Sequence, residues 1–336
     1  MGTFAESFRL SAGPEGVLSF ERFMALALYD PGCGYYRRPH PRIGRGGGSD
    51  FYTAASLPLY GELIAAACAA LVGGPSKARE YTFVELGVEP PGGVLRGVAH
   101  PFGASLEAGV NGGLDLRGPC VVFSNELFDA QPFRRFRKRA GGWRELGVRS
   151  GSAGWEETEL PAVGADFLPA DAPTDYCLDA PTGARTLAEA IAGQPWSGLF
   201  VAADYGKSWE ELAYGTPVGT ARAYREHRQS NDLLAHPGEQ DLTCHVCWDW
   251  IGQALAERGF GAVSLESQEA FLVRHAGPVL AEITAAVAPG VDGRKQALLH
   301  LLHPSLMGRK FQVLTAFRPG QEPAPGPASR RGGPGA

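Results

Sequence analysis

The chain has 336 residues, of which 44% are hydrophobic, enough to build one large domain or two. Its formal net charge of -5 at pH 7 and its pI near 5.9 argue against a nucleic-acid partner, because such proteins carry a basic surface. The sequence has no apolar run long enough to cross a bilayer and no secretory signal at its start, so it predicts a cytoplasmic protein without a membrane partner.

Two helices are predicted in the first 80 residues. Ser19 suits a helix N-terminus because its hydroxyl can accept a hydrogen bond from the first turn, and apolar residues follow at helical spacing in FERFMALALY. That helix should end at Asp30, before Pro31. A second helix is predicted from Leu57 to about Leu71, and the glycine-rich stretch IGRGGGSDFYTA between the two should form an exposed loop.

Three short β-rich segments predict buried strands at 81–86, 120–125 and 199–205. Each ends in polar side chains, which is how an open α/β sheet presents a binding site at the carboxyl ends of its strands. Helices that could cover such a sheet are predicted near 184–193, 247–258, 268–275, 277–288 and 294–302. The predicted fold class is therefore α/β, with a doubly wound Rossmann-like sheet.

Composition divides the chain into segments. Residues 1–80 are predicted to form an N-terminal helical and glycine-rich segment packed on the core, and residues 81–317 the Rossmann-like core. Short strand-like pieces at about 143–179 interrupt this pattern and predict an inserted, substrate-facing subdomain. The tail at 318–336 is rich in proline and glycine and should be disordered.

The segment SNELFDAQPF, residues 124–133, is the strongest candidate for chemistry because polar groups cluster at a strand end. If the chain turns into a helix there, Glu126 and Asp129 lie on one face, where they could bind a guanidinium or accept a proton from an amine. In the alternative, Asn125 caps a helix and Asp129 is exposed in its first turn, favoured by the helix dipole. The residues alone leave both interpretations open.

Cysteines and histidines give weaker signals. Cys244 and Cys247 have the CxxC spacing of a redox pair or half a zinc site, but no second pair in the sequence completes a tetrahedral set. His227 and His245 lie in polar segments where either could act as a general base, although a lone histidine is more often structural. The sequence therefore predicts reduced thiols and no metal site.

Motifs spread from about Phe20 to Leu314 together resemble one known family. They are FMALALYDPGCGYY, IGRGGGSDFYTA, FVELG, SNELFDAQP, ADYG, GTARAYREH, PGEQDLTCHV and LMGRKFQVL, in that order. The chain resembles the MidA family of class I S-adenosylmethionine-dependent methyltransferases, whose mitochondrial members assist respiratory complex I assembly by methylating a protein arginine. The resemblance implies S-adenosyl-L-methionine as cofactor, a methyltransferase reaction, and a protein substrate or partner.

The resemblance also implies roles for individual residues. The DFYT and ELG segments would approach the cofactor, and the NE..DA segment would face the methyl acceptor. Five residues are implied to contact the cofactor, the last of them near the transferred methyl: Asp50, Thr53, Glu85, Gly87 and Asn125. Glu126 and Asp129 would act on the acceptor arginine, orienting its guanidinium and taking its proton.

The sequence departs from the family pattern at the cofactor loop. The family's ELGPGxGxL turn is replaced by ELGVEPPGGVL, which is longer and carries Pro90 and Pro91 where amide donors should point inward. Residues 88–103 are too rich in proline and glycine for a helix, and nothing apolar around Glu107 indicates a second strand. Two hypotheses follow: an active methyltransferase with a rebuilt cofactor pocket, or an inactive relative that binds a protein partner.

Overall fold

The computed structural model describes residues 3–38, 42, 54–88, 92–109, 113, 115–152, 154–285 and 293–320. The helices in these residues are α1 (Phe4–Ala12), α2 (Phe20–Tyr29), α3 (Pro58–Leu71), α4 (Pro75–Ala78), α5 (Thr182–Ala192), α6 (Trp209–Gly215), α7 (Trp248–Ala256), α8 (Gln268–His275), α9 (Gly277–Ala285) and α10 (Gly293–Leu302). The strands are β1 (Val17–Ser19), β2 (Thr82–Leu86), β3 (Ala104–Ala108), β4 (Gly118–Asn125), β5 (Arg134–Arg139), β6 (Gly142–Gly151), β7 (Gly154–Pro161), β8 (Cys177–Ala180), β9 (Trp196–Asp204), β10 (Gly206–Lys207), β11 (Arg222–Arg225), β12 (Arg228–Ser230), β13 (Asp241–Thr243), β14 (Val246–Cys247), β15 (Ser264–Ser267) and β16 (Gln312–Arg318).

The core of the protein is a six-stranded sheet in the order β15-β16-β9-β4-β2-β3. Strands β3, β2, β4 and β9 run parallel, whereas β16 is antiparallel to both of its neighbours. The parallel strands β2, β4 and β9 therefore end on one edge of the sheet, at Leu86, Asn125 and Asp204. The predicted α/β class and the three predicted buried strands are confirmed.

Helices cover both faces of this sheet, because side chains of a strand alternate between its two faces and both sets are apolar here. Phe123 of β4 packs in a cluster that takes residues from α3, α8, α9 and α10. Its neighbour Val122 points the other way, into a cluster with α5 and α7. The central strands are consequently buried on both sides, as the apolar runs in the sequence predicted.

The predicted helices are confirmed, with small shifts at their ends. Helix α2 begins directly after Ser19, whose hydroxyl accepts the amide of Arg22 at 3.3 Å. Helix α3 begins at Pro58, which suits a first turn because its missing N–H has no partner there in any helix. The five helices predicted to cover the sheet correspond to α5, α7, α8, α9 and α10.

Two expectations were wrong. Residues 104–108 form a strand, β3, that pairs in parallel with β2, although most of its side chains are exposed. Backbone hydrogen bonds to β2 define this strand, so its sequence does not contain the apolar run that would predict it. The turn after β4 is not helical, so Asp129 is neither on a helix face nor exposed beyond a helix cap. The described residues between β2 and β3 form turns and no helix, which agrees with the prediction.

The remaining strands form two antiparallel sheets and a short parallel pair of β10 with β14. One has the order β1-β6-β5-β8, with β7 also pairing with β6; it contains the predicted insertion but also β5 and the N-terminal β1. The domain bounds from the sequence stay predictions. The predicted tail starts at Arg318, the last residue of β16, and its residues from 321 lie outside the described part, as does most of the glycine-rich loop. In the described residues, every helix is too short or too polar to span a bilayer.

Candidate active site

A cavity of about 880 Å³ opens at the carboxyl edge of the central sheet. The ends of β2 and β4 and the residue after β9 line one side of it with Leu86, Asn125 and Tyr205. This edge is where open α/β sheets usually bind ligands, and the volume is within the range of small-molecule sites. The space is large enough for a nucleotide-sized ligand together with one side chain of a second molecule.

Two carboxylates lie side by side at the β2–β3 end of the site. Glu85 of β2 is 6% exposed, and its register partner in β3 is Glu107. Glu85 Oε2 accepts the amide of Val94 at 2.7 Å, while Glu107 Oε1 accepts the amide of Gly93 at 3.0 Å. Burial raises the pKa of Glu85 to about 7; the Val94 amide opposes the rise and the charge of Glu107 adds to it.

Two glycines of the cofactor loop let its backbone come this close. A Cβ on Gly93 would lie 2.2 Å from Glu85 Oε2, so no other residue fits there without moving the carboxylate. Gly87 has a φ of +76°, and a Cβ at that position would lie 2.8 Å from Leu127 Cδ1. The Gly87 amide donates to the carbonyl of Ala108 at 2.8 Å. Despite its unusual sequence, the loop still contacts both strand-end carboxylates.

A hydrogen-bonded chain of side chains leads from helix α3 to the turn after β4. The Tyr60 hydroxyl donates to Asn125 Oδ1 at 3.0 Å, and Asn125 Nδ2 donates to Glu126 Oε1 at 3.0 Å. Glu126 has a φ of +50°, and its amide donates to the carbonyl of Ala203 at 2.9 Å. A non-glycine residue in this region costs about 1–2 kcal/mol, so the fold holds the Glu126 carboxylate in a strained but fixed position.

Asp204, at the end of β9, fixes the same turn from inside the sheet. It is fully buried, and its Oδ2 accepts the amides of Phe128 at 3.0 Å and Asp129 at 3.2 Å. Its Oδ1 accepts the amide of Tyr205 at 2.9 Å. Burial raises the pKa of Asp204 to about 8; the three amide bonds oppose the rise, and the charge of Glu126 adds to it. One buried carboxylate therefore sets the path of the backbone from Phe128 to Asp129.

Asp129 lines the cavity but is only 3% exposed. Burial raises the pKa of Asp129 well above its usual value, the charges of Asp204 and Asp241 add to the rise, and a bond from the Tyr205 hydroxyl opposes it. Among the residues that the structure describes, Asp129 Oδ1 has no hydrogen-bond partner, which is unusual for a buried oxygen. A cation bound at this end would offset the repulsion among these carboxylates.

One wall of the cavity is a face of the three-stranded sheet β12-β11-β13. Alternate residues of a strand share a face, so Arg222 and Tyr224 of β11 line the cavity together with their partners Thr243 and Asp241 of β13. The residues between them, such as Leu242, point into the core on the other side. This wall therefore carries two cross-strand pairs, Arg222 with Thr243 and Tyr224 with Asp241.

Of the two candidate histidines, His245 lines the cavity and His227 does not. His245 lines the cavity next to the ring of Tyr205, with ring centroids 5.5 Å apart, and burial, helped by the charges of Lys207 and Arg222, lowers the pKa of His245 to about 4. His227 is exposed in the turn between β11 and β12 and does not line the cavity. A histidine with so low a pKa is a weak base, so the carboxylates are the better proton acceptors.

The CxxC pair does not have the features of a redox or zinc site. Both thiols are buried, and burial raises the pKa of Cys247 to about 12 and that of Cys244 well above its usual value, whereas redox and metal-binding cysteines need an accessible thiolate. In the described ranges, no group of three or more His, Cys, Asp and Glu side chains could hold a metal ion.

The structure brings most of the predicted site residues to this one cavity: Glu85, Gly87, Asn125, Glu126 and Asp129. Asp50 and Thr53 lie outside the described residues, and the individual roles of all seven stay predictions. Sequence reasoning missed Tyr60 and Asp241. Asp241 lies in the motif PGEQDLTCHV, and Tyr60 lies in a helix whose apolar sequence is typical of a buried core. Neither residue therefore stood out in the sequence as a candidate site residue.

Residues 110–265 match a family model described as "Putative S-adenosyl-L-methionine-dependent methyltransferase". A curated relative from Danio rerio, named "Protein arginine methyltransferase NDUFAF7, mitochondrial", is 24% identical over 90% of this chain and 84% of its own length. The protein of that name from Xenopus laevis is 26% identical over 59% of this chain, and the matched part is 46% of that protein. The chain thus spans about half the length of the frog relative.

Two solved structures from Burkholderia thailandensis share the fold. One, described as a "likely methyl transferase" bound to S-adenosyl-homocysteine, is 24% identical with a TM-score of 0.79, covering 94% of this chain and 92% of that one. The other, a native structure of an uncharacterized protein, is 26% identical with a TM-score of 0.79, covering 94% of this chain and 91% of that one. The similarity therefore extends over nearly the whole chain.

Proposed function

We propose that this chain, which matches the model of a methyltransferase family over residues 110–265 and resembles the MidA-type enzymes, transfers a methyl group from S-adenosyl-L-methionine to an arginine side chain of a protein. The observation that carries the proposal is the shared cavity, where Glu85 and Gly87 lie on the side of β2 and Glu126 and Asp129 lie beyond Asn125. A donor site and an acidic acceptor site thus meet in one space.

The residues around the β2 turn fit the cofactor, which supplies an electrophilic methyl group on a positively charged sulfur. Glu85 and its neighbour Glu107 are placed to accept hydrogen bonds from ribose hydroxyls, the task of strand-end acidic residues in Rossmann-like folds. The absence of a Cβ at Gly87 and Gly93 lets the loop backbone pack against Leu127 and Glu85. The surrounding carboxylates favour a positively charged ligand.

Glu126 and Asp129 would act on the acceptor. A guanidinium is protonated in water, so one of its nitrogens becomes nucleophilic only as it gives up a proton. Glu126, oriented by Asn125, would bind the guanidinium and receive that proton as the new N–C bond forms and the bond from the methyl carbon to sulfur breaks, which would leave S-adenosyl-homocysteine. Glu126 would then release the proton to water. General base catalysis of this kind typically contributes about 10²–10⁴ in rate.

The names of the relatives support arginine as the acceptor, because proteins called protein arginine methyltransferases match along much of this chain. The alternative, an inactive protein that only binds a partner, rested on the unusual cofactor loop. That loop keeps two amide bonds to the strand-end carboxylates, so its unusual sequence no longer favours the alternative.

The test is a methyl-transfer assay with purified protein, radiolabelled S-adenosyl-L-methionine and a peptide array rich in arginine. We expect labelled methylarginine, identified by mass spectrometry after acid hydrolysis, with wild type and not with Glu126→Gln. Label on lysine or on no side chain at all would reject the arginine proposal, while tight binding of S-adenosyl-homocysteine without any transfer would support the inactive alternative.

A cytoplasmic location is also part of the proposal, and it rests only on the sequence features described at the outset. The curated relatives are named mitochondrial proteins. Cell fractionation with an antibody to this protein tests the point: enrichment in an organelle fraction would contradict it.

A further inference from the structure

A polar patch on the β12-β11-β13 wall has no role in the reaction derived above. Arg222 of β11 is the register partner of Thr243 of β13, and just beyond this pair the amide of His245 donates to Thr220 Oγ1 at 3.1 Å. These residues, the Arg222 patch, all line the cavity: Thr220, Arg222, Thr243 and His245. The patch brings a guanidinium and hydroxyl groups to the cavity, all of which can donate hydrogen bonds.

The backbone that carries Arg222 is fixed by a buried carboxylate. Asp179 of β8 is 2% exposed, and its Oδ2 accepts the amides of Thr220 at 2.7 Å and Ala221 at 2.8 Å. Gly219 has a φ of +71°, and a Cβ there would lie 2.4 Å from Asp179 Oδ2. Only a glycine therefore lets the chain come this close to Asp179. Arg222 thus follows a backbone segment whose position is set before any ligand binds.

The guanidinium of Arg222 has hydrogen-bonding capacity left. Arg222 is half-buried, and its Nη1 donates to the carbonyl of Ala221 at 2.6 Å, which uses one of about five N–H donors. Of the carboxylates in the described residues, none lies at ion-pair distance from Arg222. His245 in the same patch is neutral at pH 7, because burial lowers the pKa of His245 to about 4. The patch therefore carries one positive charge, which a bound anion can neutralise.

The patch lies on the acceptor side of the cavity. The amide of Val246, next to the patch, donates to the carbonyl of Tyr205 directly after β9, at 3.1 Å. The amide of Cys244 donates to the carbonyl of Asp129 at 2.9 Å. Strand β4 lies between β9 and β2, and neighbouring strands are about 4.8 Å apart, so β9 ends roughly 10 Å from the β2 turn. The patch therefore adjoins the Asp129 turn and not the cofactor loop.

Glu126 and Asp129 make one side of the acceptor region acidic, whereas Arg222 makes the other side basic. A substrate segment that fills both sides is favoured if it carries a positive and a negative side chain. We propose that Arg222 is a specificity-determining residue that binds the carboxylate of an aspartate or glutamate close to the acceptor arginine in the protein substrate. A guanidinium and a carboxylate form two parallel hydrogen bonds, a geometry that a neutral amide cannot match. The inference rests on the proposed function, since it names the substrates that the proposed site selects.

The test compares acetylated, amidated peptides that contain one arginine and one glutamate, placed at each neighbouring position in turn, with the same peptides carrying glutamine. Titration calorimetry is carried out on the full chain saturated with S-adenosyl-homocysteine. We expect wild type to bind at least one glutamate peptide about tenfold more tightly than its glutamine partner, because a hydrogen-bonded charge pair replaces a neutral contact. Arg222→Met, which keeps an apolar stem of similar length, should reduce that preference to about twofold or less.

Arg225 provides a matched control on the same strand. It pairs with Glu226 at 3.6 Å and with Glu239 at 3.8 Å, and it does not line the cavity. Arg225→Met removes the same charge and should leave the preference of wild type unchanged. If Arg222→Met does not fold, Arg222→Gln tests the same site, because its amide can still donate to the Ala221 carbonyl. The preference should again fall to about twofold or less.

The carboxylate of the cofactor is the other anion to be compared. S-adenosyl-homocysteine carries this carboxylate, and its Kd without peptide should stay within about twofold of wild type in Arg222→Met. A loss of about tenfold in this affinity would assign Arg222 to the cofactor and overturn the inference.

The outcomes separate this inference from the proposed function. No preference for any glutamate peptide in wild type, an undiminished preference in the Arg222 variant that folds, or an equal loss in Arg225→Met would overturn the inference. Methylation of arginine peptides by wild type in that case leaves the proposed function standing. A preference that depends on Arg222, without any methyl transfer, would retain the binding site and reject the reaction.

Discussion

Replacing Gly93 by alanine tests the rebuilt cofactor loop directly. An alanine Cβ would lie 2.2 Å from Glu85 Oε2 and 3.1 Å from Glu107 Oε1, whereas ordinary contacts begin near 3.4 Å. The Glu85 carboxylate must therefore retreat by about 1 Å, which breaks its 2.7 Å bond from the Val94 amide. A hydrogen bond to a charged group contributes about 1.5–3 kcal/mol, so we expect a loss of stability of that order.

Melting curves and calorimetry measure the two consequences. For a chain of 336 residues the expected loss corresponds to a fall in Tm of about 2–4 °C. If Glu85 also contacts the cofactor, the affinity for S-adenosyl-homocysteine should fall at least about tenfold, equivalent to 1.4 kcal/mol. Gly141→Ala is the matched control, because a Cβ there meets nothing within 4 Å and Gly141 has no positive φ.

Each result would refute a different step of the reasoning. An unchanged Tm in Gly93→Ala would mean that the loop has room that the structure does not show. A lower Tm with wild-type affinity for S-adenosyl-homocysteine would mean that Glu85 supports the loop but does not contact the cofactor. A similar loss in Gly141→Ala would point to a general effect of replacing glycine.

Four further predictions concern the same cavity. Glu126→Gln should lower kcat at least about 100-fold while the Kd for S-adenosyl-homocysteine stays within twofold, and equal losses of both would contradict an acceptor-side role. Tyr60→Phe removes the donor to Asn125 and should destabilise by about 1 kcal/mol in urea unfolding while lowering kcat more than it raises KM. Affinity for S-adenosyl-L-methionine should rise with pH through about 7 as Glu85 ionises, and Glu85→Gln should flatten this dependence in calorimetry between pH 6 and 8. The pKa of Asp204 is about 8 in the folded state and near 4 when unfolded, so the folded state keeps the proton up to a higher pH than the unfolded state. The free energy of unfolding should therefore fall by about 1–3 kcal/mol from pH 6 to pH 9. A rise over this range would show that the amide bonds to Asp204 outweigh its burial.

The sequence was a good guide wherever burial decides structure. The strands β2, β4 and β9 and the helices around them are apolar enough to be predicted from their sequences. Because these strands are parallel neighbours, the polar residues at their carboxyl ends lie on one edge of the sheet. Strand β3 could not be read, because its side chains are exposed and only backbone pairing with β2 defines it. The turn after β4 was misread because Asp204, far away in the chain, supplies the acceptor for its amides.

The cavity wall formed by the sheet β12-β11-β13 shows the same limit in the candidate site. Tyr36 and Asp241 are far apart in the chain and meet through one hydrogen bond, which no local pattern indicates. Alternation within ARAYREH and QDLT is consistent with a two-faced strand, but which face meets the cavity depends on how β13 follows the Asp129 turn. Such residues become visible as candidates only after the sheet is built.

The antiparallel strand β16 also constrains how the protein is made. It lies between β9 and β15 and pairs with β9 along its length, yet it is translated after α6 to α10. Until the ribosome has released it, β9 exposes an unpaired edge next to Asp204, and the site residues lack their support from that side. The nascent chain should therefore need a chaperone or rapid completion to avoid aggregation at this edge, and a stop codon before residue 312 should leave an insoluble product with no partly active form.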